Sequence, residues 1–262
     1  MTKGRGLEIP EIFRGAIDYK DDPKAFELAQ KTFNEEGLYR AIASFASDWY
    51  KSTGRPAKVL DLCSSTGLCA LRVSRLIPVE AVTLVDVDQS VLAIGREYFD
   101  KPCPIFTYCA DAVTFQEGGP YDIILMNSSY HHIEDERKLD FLKNAASLLA
   151  DGGVILIGEH FLPPYHNPDE YRESVVIFYS KLIEELQRRG EPAGAINVIR
   201  KVGLYCWEGQ YEYKVSWSIF QSHSEQCGLR TCSKNLVWSI PLKNYDFSGS
   251  CSLLKGFVPH SD

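Results

Sequence analysis

Short apolar runs alternate with helical periodicity along the middle of the chain. Residues 58–62 predict a strand whose apolar run Val59-Leu60 ends in the acid Asp61, the small-residue turn Cys63-Ser64-Ser65-Thr66-Gly67 follows, and a helical pattern over 66–76 ends before Pro78. Residues 81–86, AVTLVD, are β-branched and end in an acid, and residues 91–99 read as a helix. Runs at 104–109 and 121–126 predict a third and a fourth strand. A helix from Asp135 carries Leu139, Leu142, Ala145, Leu148 and Leu149, and Asp151-Gly152-Gly153 predicts a turn into a fifth strand over 154–158. Strands alternating with helices imply a parallel sheet with right-handed crossovers.

The flanks have a different rhythm. Residues 1–20 show no periodicity and read as an arm. Asp22-Pro23 predicts a helix start, with Phe26, Ala29 and Phe33 on one face as far as Gly37, and a second helix over 39–52 aligns Ile42, Phe45, Ala46 and Trp49. Beyond the fifth strand, Asn167-Pro168-Asp169-Glu170 opens a helix whose stripe is Tyr171, Val175, Phe178, Leu182, Ile183 and Leu186. Residues 191–210 look irregular, 213–227 helical, and 229–240 and 251–258 strand-like. The expected organisation is an N-terminal helical lid (1–56) and an α/β domain (57–262), with a helical insertion at 161–212 as substrate cover.

Composition narrows the function by exclusion. The formal net charge is −7 with no lysine- or arginine-rich block, which argues against a nucleic-acid partner and for a small molecule. No stretch of eighteen apolar residues occurs and no apolar leader opens the sequence, so the expectation is a cytoplasmic protein without a membrane partner. The eight cysteines are scattered without a C-x-x-C pair and read as free thiols in a reducing compartment.

In an open parallel sheet the ligand sits at the C-terminal ends of the strands, and the polar residues fall there one strand after another. Asp61 and the 63–67 turn follow strand one, Asp86 and Val87 close strand two, Asp111-Ala112 follow strand three, and the 127–132 segment follows strand four. A strand, a tight turn and a helix N-terminus gather unpaired backbone N–H groups at the positive end of a helix dipole. A dinucleotide site would need glycines in a G-x-G-x-x-G array, and only Gly67 is present. The spacing instead resembles the D-x-G-x-G-x-G motif of the class I S-adenosylmethionine-dependent methyltransferases. Asp61 falls on the aspartate, Gly67 on the last glycine, and Cys63 and Ser65 on the first two glycines.

With YDIIL, LLADGGVILIGE and the final SLLKGFVP, this resemblance extends over residues 58–159 and the last strand. It implies a Rossmann-like α/β fold, a seven-stranded, mostly parallel sheet, and S-adenosylmethionine as cofactor. The cofactor contacts would be Asp61, Cys63, Ser64, Ser65, Thr66, Gly67, Asp86, Val87, Asp111, Ala112 and Asn127. Asp86 is placed to accept both ribose hydroxyls. By the resemblance, Asp111 accepts from the adenine amino group and the next backbone N–H donates to a ring nitrogen; a helix N-cap is the other reading of Asp111. Asp88 reads as an N-cap.

Methyl transfer from a sulfonium is an in-line displacement, which needs a base when the acceptor is a hydroxyl or an acidic carbon. The loop Asn127-Ser128-Ser129-Tyr130-His131-His132-Ile133-Glu134-Asp135 resembles the HHxxD-type segment of small-molecule methyltransferases. That makes His131 the first candidate base and His132 the second; the other reading is that the pair only packs and hydrogen-bonds beneath the cofactor. Tyr130, Glu159, His160 and Tyr211 are candidates for acceptor contact, among aromatics that crowd the region after strand five. Arg40, Arg172 and Arg200 are candidate clamps for an acceptor carboxylate. His131 and His132 with Glu159 or His160 would make a two-histidine, one-carboxylate set, but no single helix fixes that spacing and no metal is expected.

The sequence therefore reads as a methyltransferase acting on oxygen, carbon or nitrogen of a small molecule, in the biosynthesis of a specialised metabolite. A non-methylating descendant of the fold is the alternative, with an RNA methyltransferase and an NAD-dependent oxidoreductase behind it. A homodimer is compatible with this reading.

Overall fold

The structure, a computed structural model, describes residues 8–16, 35–99, 103–238 and 249–256. Its centre is a sheet of β1 (Ala57–Leu62), β2 (Val79–Asp86), β3 (Ile105–Cys109), β4 (Tyr121–Asn127), β5 (Leu149–Glu159), β6 (Leu229–Trp238) and β7 (Gly249–Gly256). The seven strands lie in the order β3-β2-β1-β4-β5-β7-β6. β1 to β5 pair in parallel, and β7 runs antiparallel to both β5 and β6. Strand order reverses between β1 and β4, which puts the ligand crevice of an open α/β sheet over that pair.

Helices cover both faces: α1 (Glu35–Thr53), α2 (Leu68–Leu76), α3 (Gln89–Tyr98), α4 (Lys138–Ser147), α5 (Pro168–Arg188), α6 (Ala193–Glu208) and α7 (Trp217–Gln226). Alternation along β4 shows how the layers form. Ile123 and Leu125 pack with Ile42 and Trp49 of α1, Val73 of α2 and Leu92 of α3; Ile124 and Met126 pack with Phe141 and Leu142 of α4 and Phe220 of α7. Central strands buried on both faces lose the polar half of their alternation, so they appear in the sequence as unbroken apolar runs.

The insertion has its own core. α5 and α6 pack through Val175, Phe178, Leu182, Ile196 and Ile199, and Phe13, in a short 3-10 turn at Glu11–Phe13, joins them. Part of the expected N-terminal arm is thus anchored to the insertion. Asn167 caps α5, accepting from the amides of Asp169 and Glu170, as its sequence predicts.

Four expectations need correction. The irregular stretch 191–210 is α6: its small and β-branched residues weaken the helical signal, and burial of Ala195, Ile196, Ile199, Leu204 and Cys206 against α5 outweighs it. The last helix opens at Trp217 under a Ser216 cap, and residues 212–216 run without regular structure apart from a bridge between Leu162 and Ser216. Asp151-Gly152-Gly153 does not precede β5 but lies within it, where the register against β4 slips between Tyr121 and Ile123 and Gly152 takes φ +74°. The helix from Asp135 begins as a 3-10 turn, with the α-helix starting at Lys138. The helix predicted from Asp22-Pro23 lies outside the described residues. What is described of the expected lid, α1, is a layer of the core against β5, β7 and α2.

Candidate active site

The loop after β1 carries three left-handed residues, Cys63 at φ +56°, Ser65 at +49° and Gly67 at +69°. These are the three glycine positions of the motif. The backbone path is retained with side chains that make it cost about 1–2 kcal/mol at each non-glycine position. The loop is held by Ser64 N–H to the Val85 carbonyl (2.9 Å), Gly67 N–H to the Ser64 carbonyl (2.7 Å) and Ser65 N–H to Asp86 Oδ2 (2.8 Å). Gly67 has a steric reason as well: a Cβ there would stand 2.8 Å from Leu84 Cδ1. At Gly95 a Cβ would meet the Thr66 carbonyl oxygen at 2.7 Å, so bare backbone lets α3 press against the loop.

Around this loop the acids have distinct environments. Asp61 is buried under it and accepts from the Ala70 amide at 3.2 Å. Burial pushes its carboxyl up to about 8, the Ala70 amide opposes this, and Asp86 adds to it. Burial likewise pushes the Cys63 thiol up, with Asp86 and Asp61 adding to the effect, so it stays neutral. Asp86 Oδ1 accepts from the Asp88 amide (3.0 Å), and Asp88 caps α3 by accepting from the Ser90 amide (2.8 Å). Val87 is largely exposed beside them, its carbonyl accepting from Cys109 Sγ at 3.3 Å. Asp111 accepts from the Val113 amide (2.9 Å) and from Arg137. Partial burial works against the charge on Asp111, but those two donors hold it below the usual carboxylate range. No helix follows Asp111, so the N-cap alternative is not realised. The Ala112 carbonyl accepts from Asn144 Nδ2 at 3.0 Å. Asn127 ends β4, with Nδ2 3.5 Å from Ser128 Oγ.

The loop after β4 is fixed from several sides. Ser128, at φ +50°, donates its amide to the Gly158 carbonyl (2.7 Å), and Ser129 Oγ donates to the Leu62 carbonyl (3.0 Å). Lys138, fully buried, donates Nζ to the carbonyls of Tyr130 (2.8 Å) and Ile133 (2.5 Å), the two ends of the histidine turn. Burial brings the Lys138 ammonium down to about 8, with Asp135 and Glu159 working against the fall.

In that frame His131 Nδ1 sits 2.7 Å from Glu159 Oε1, while Glu159 also accepts the amides of His131 (3.3 Å) and His160 (2.8 Å). His131 Nε2 faces Glu212 Oε2 at 3.7 Å. Burial holds the His131 imidazole well below its ordinary value, and the charges of Lys214 and His132 add to this against the pull of Glu212. It is therefore neutral, with Nδ1–H donating to Glu159 and the lone pair on Nε2. Glu212 and Lys214, both buried, form an ion pair at 3.2 Å. Burial disfavours both charges, but each holds the other ionised, so Glu212 lies below its usual range and Lys214 above it. His132 is half-exposed at 4.1 Å, ring to ring, from His131, and its Nδ1 is 3.2 Å from the Tyr211 carbonyl. Tyr211 has φ +60°, is 69% exposed and stacks edge-on with Tyr205.

The structure thus brings together His131, His132, Glu159, His160 and Tyr211. It separates Tyr130 from them: that ring packs edge-on against Phe220, and its hydroxyl meets His223 Nδ1 at 2.7 Å under α7. Burial there corrects the expectation that Tyr130 touches an acceptor. Glu212 and Lys214 are residues the sequence reading missed. The signal was the alternation Glu212-Tyr213-Lys214-Val215-Ser216, which suits an extended segment with polar groups on one side. Arg137, beside Asp111, was missed as well.

The reversed strand order, the left-handed loop after β1 and the acid closing β2 define a class I methyltransferase fold. In agreement, residues 59–153 match the family model described as "Methyltransferase domain". The chain is 25% identical over 105 residues, 40% of its length and 38% of the other's, to a malonyl-[acyl-carrier protein] O-methyltransferase of Bacillus anthracis. It shares its fold with the plantazolicin methyltransferase BpumL, solved in complex with SAH (TM-score 0.59, 14% identity, covering 94% of this chain and 95% of that one). It also shares it with a protein described as a pericyclic reaction enzyme (TM-score 0.51, 11% identity, covering 78% and 44%). The chain spans 30% to 66% of the length of the curated relatives it matches. Among the described residues no helix is long and apolar enough to cross a membrane.

Proposed function

We propose that the protein is an S-adenosylmethionine-dependent methyltransferase acting on a small molecule, and that the cofactor lies along the ends of β1, β2 and β3. The observation that carries the reading is the Cys63–Gly67 loop, whose glycine-like conformation persists without two of its glycines and whose Ser65 amide is tied to Asp86. In this reading Asp86 accepts the ribose hydroxyls, Asp111 receives the adenine amino group in exchange for part of its bond with Arg137, and Asp61 faces the amino-acid end. The names of BpumL and of the Bacillus relative support the same class of reaction.

The acceptor approaches from the His131 side. A neutral imidazole with Nδ1–H held by Glu159 presents Nε2 as a proton acceptor, and the imidazolium that forms is flanked by two carboxylates, Glu159 and Glu212. Burial excludes water and strengthens these charges. The insertion, helices α5 and α6, covers this side. An acidic oxygen or carbon suits a base so placed.

Calorimetric titration with S-adenosylmethionine and S-adenosylhomocysteine, with NADH as control, tests the cofactor. Heat from the first two alone is the expected result, and saturation by NADH would overturn it. Transfer of a labelled methyl group to a small-molecule extract tests the reaction. The fold shared with a pericyclic reaction enzyme favours a second reading, in which the cofactor binds but no methyl leaves it. Cofactor binding with no label transferred to any acceptor would select that one.

A further inference from the structure

We propose that His131, His132 and Glu212 bind one divalent transition-metal cation of the zinc type. Their ligand atoms all lie within 4.8 Å of one another. His131 Nε2 is 3.7 Å from Glu212 Oε2, and His132 Nδ1 is 3.9 Å from Glu212 Oε1. Donors on a tetrahedral zinc at about 2.1 Å stand roughly 3.4 Å apart, so the two histidine–glutamate separations close by a few tenths of an ångström and the widest separation, within 4.8 Å, by up to about 1.4 Å. Two imidazoles and a carboxylate form a donor set suited to zinc and, with open positions, to iron(II).

Three further observations point to a cation. The other nitrogen of His131 is already held by Glu159 at 2.7 Å, the carboxylate–histidine arrangement that orients a metal-bound imidazole and fixes its lone pair outward. Glu212 Oε2 is buried, and besides the Lys214 ammonium at 3.2 Å it accepts no hydrogen bond among the described residues. His131 Nε2 and this oxygen stand 3.7 Å apart, and the Lys214 ammonium lies 3.2 Å from the same oxygen, in the position a bound metal cation would contest. Finally, the left-handed Tyr211 (φ +60°) immediately precedes Glu212, and its carbonyl stands 3.2 Å from His132 Nδ1. Backbone strain of this kind persists where surrounding contacts enforce it, and it sets both Glu212 and a carbonyl beside the two histidines.

Around His131 the buried ions are Glu159 and Glu212 with Lys214 and Lys138, so a divalent cation there competes with two ammonium groups. Lys214 is the cation's competitor for Glu212. To bind the metal, His132 gives up its Tyr211 hydrogen bond and shifts its ring proton to Nε2, which its half-exposed position permits. With the cation bound, His131 Nε2 is occupied as a ligand, so the base role proposed above belongs to the metal-free protein. The inference concerns metal binding and does not depend on the methyl-transfer reading.

The test is titration of the chelator-stripped full chain with Co²⁺, a coloured stand-in for zinc, followed by absorption and calorimetry in the absence of any cofactor. One cobalt per chain is expected, with visible bands and no thiolate charge-transfer band; that band would report the exposed Cys109 and Cys232 instead. His132→Ala, at a half-exposed position that folding tolerates, and Glu212→Gln should each weaken binding at least about tenfold. Glu159→Gln, acting through His131, should weaken it by about 10- to 100-fold. Lys214→Met, which removes the competitor, should strengthen it. Absence of cobalt binding, a thiolate spectrum, or affinity unchanged in both His132→Ala and Glu212→Gln overturns the site. S-adenosylhomocysteine titration of the same metal-free protein then shows separately whether the cofactor reading stands.

Discussion

The two halves of the site are built by opposite means. The loop over β1 and β2 uses backbone amides, left-handed dihedrals and one half-buried carboxylate at a strand end, with Ser65 exposed. The pocket beyond β4 and β5 uses side chains: His131, Glu159, Glu212 and Lys214 are all buried, and they come from three separate segments. The first half depends on conformation and so tolerates Cys63 and Ser65 where glycine is the easy choice. The second depends on charge balance in a dry interior, where each ion is stable only while its partner remains. Replacing a residue in the first half should therefore alter cofactor affinity or backbone strain, whereas replacing one in the second should alter turnover, pH response or folding.

The contrast is sharpest at His131. His131→Ala should lower turnover by about 10²–10⁴ and leave affinity for S-adenosylhomocysteine within about threefold, the spread of a substitution that removes no contact. Steady-state kinetics beside calorimetry reads both, and a parallel loss of affinity would erase the division between the halves. Next is Lys138, whose ammonium holds both ends of the histidine turn. Lys138→Met orphans two buried carbonyls and should cost about 2–4 kcal/mol in urea denaturation. A loss below about 0.5 kcal/mol, typical of surface substitutions, would show that the turn is held by other contacts.

A third prediction concerns Asp61. The unfolded carboxyl loses its proton near its ordinary value, while the folded one keeps it up to about 8. The folded state thus binds more protons across that window, and stability should fall as pH rises through it, by up to about 1.4 kcal/mol per pH unit. Asp61→Asn should remove this slope in denaturation curves taken between pH 5 and 8; an unchanged slope would assign it to other groups. The smallest effect is at Ser65. Ser65→Gly relieves a left-handed side chain and should raise stability by about 1 kcal/mol with cofactor affinity kept. Destabilisation instead would mean that the serine side chain contributes more than its backbone strain costs.

The same division explains what the sequence disclosed. Asp61, the 63–67 turn, Asp86 and Asp111 sit at strand ends that hydrophobic patterning locates, so the sheet and these strand-end positions were legible together. Asp88 as a cap and Asn167 as the start of α5 were legible for the same local reason. The insertion was harder. α6 is rich in glycine and β-branched residues, and its helical state rests on packing against α5 rather than on propensity. Glu212 and Lys214 escaped notice because nothing near them in sequence marks a site; a strained Tyr211 and a bridge from Ser216 to Leu162 carry that segment to the histidines. Tyr130 misled for the converse reason: its neighbours in sequence face the pocket, while its own ring turns into the core beneath α7.

The central claim is that Asp86 and the loop it steadies hold the cofactor independently of the buried histidine pocket. S-adenosylhomocysteine should be titrated calorimetrically into wild type, Asp86→Ala and His131→Ala side by side. Asp86→Ala should lose about 100-fold or more in affinity, the value of two charge-assisted hydrogen bonds, while His131→Ala should bind as wild type does. Equal binding by wild type and Asp86→Ala would contradict that claim.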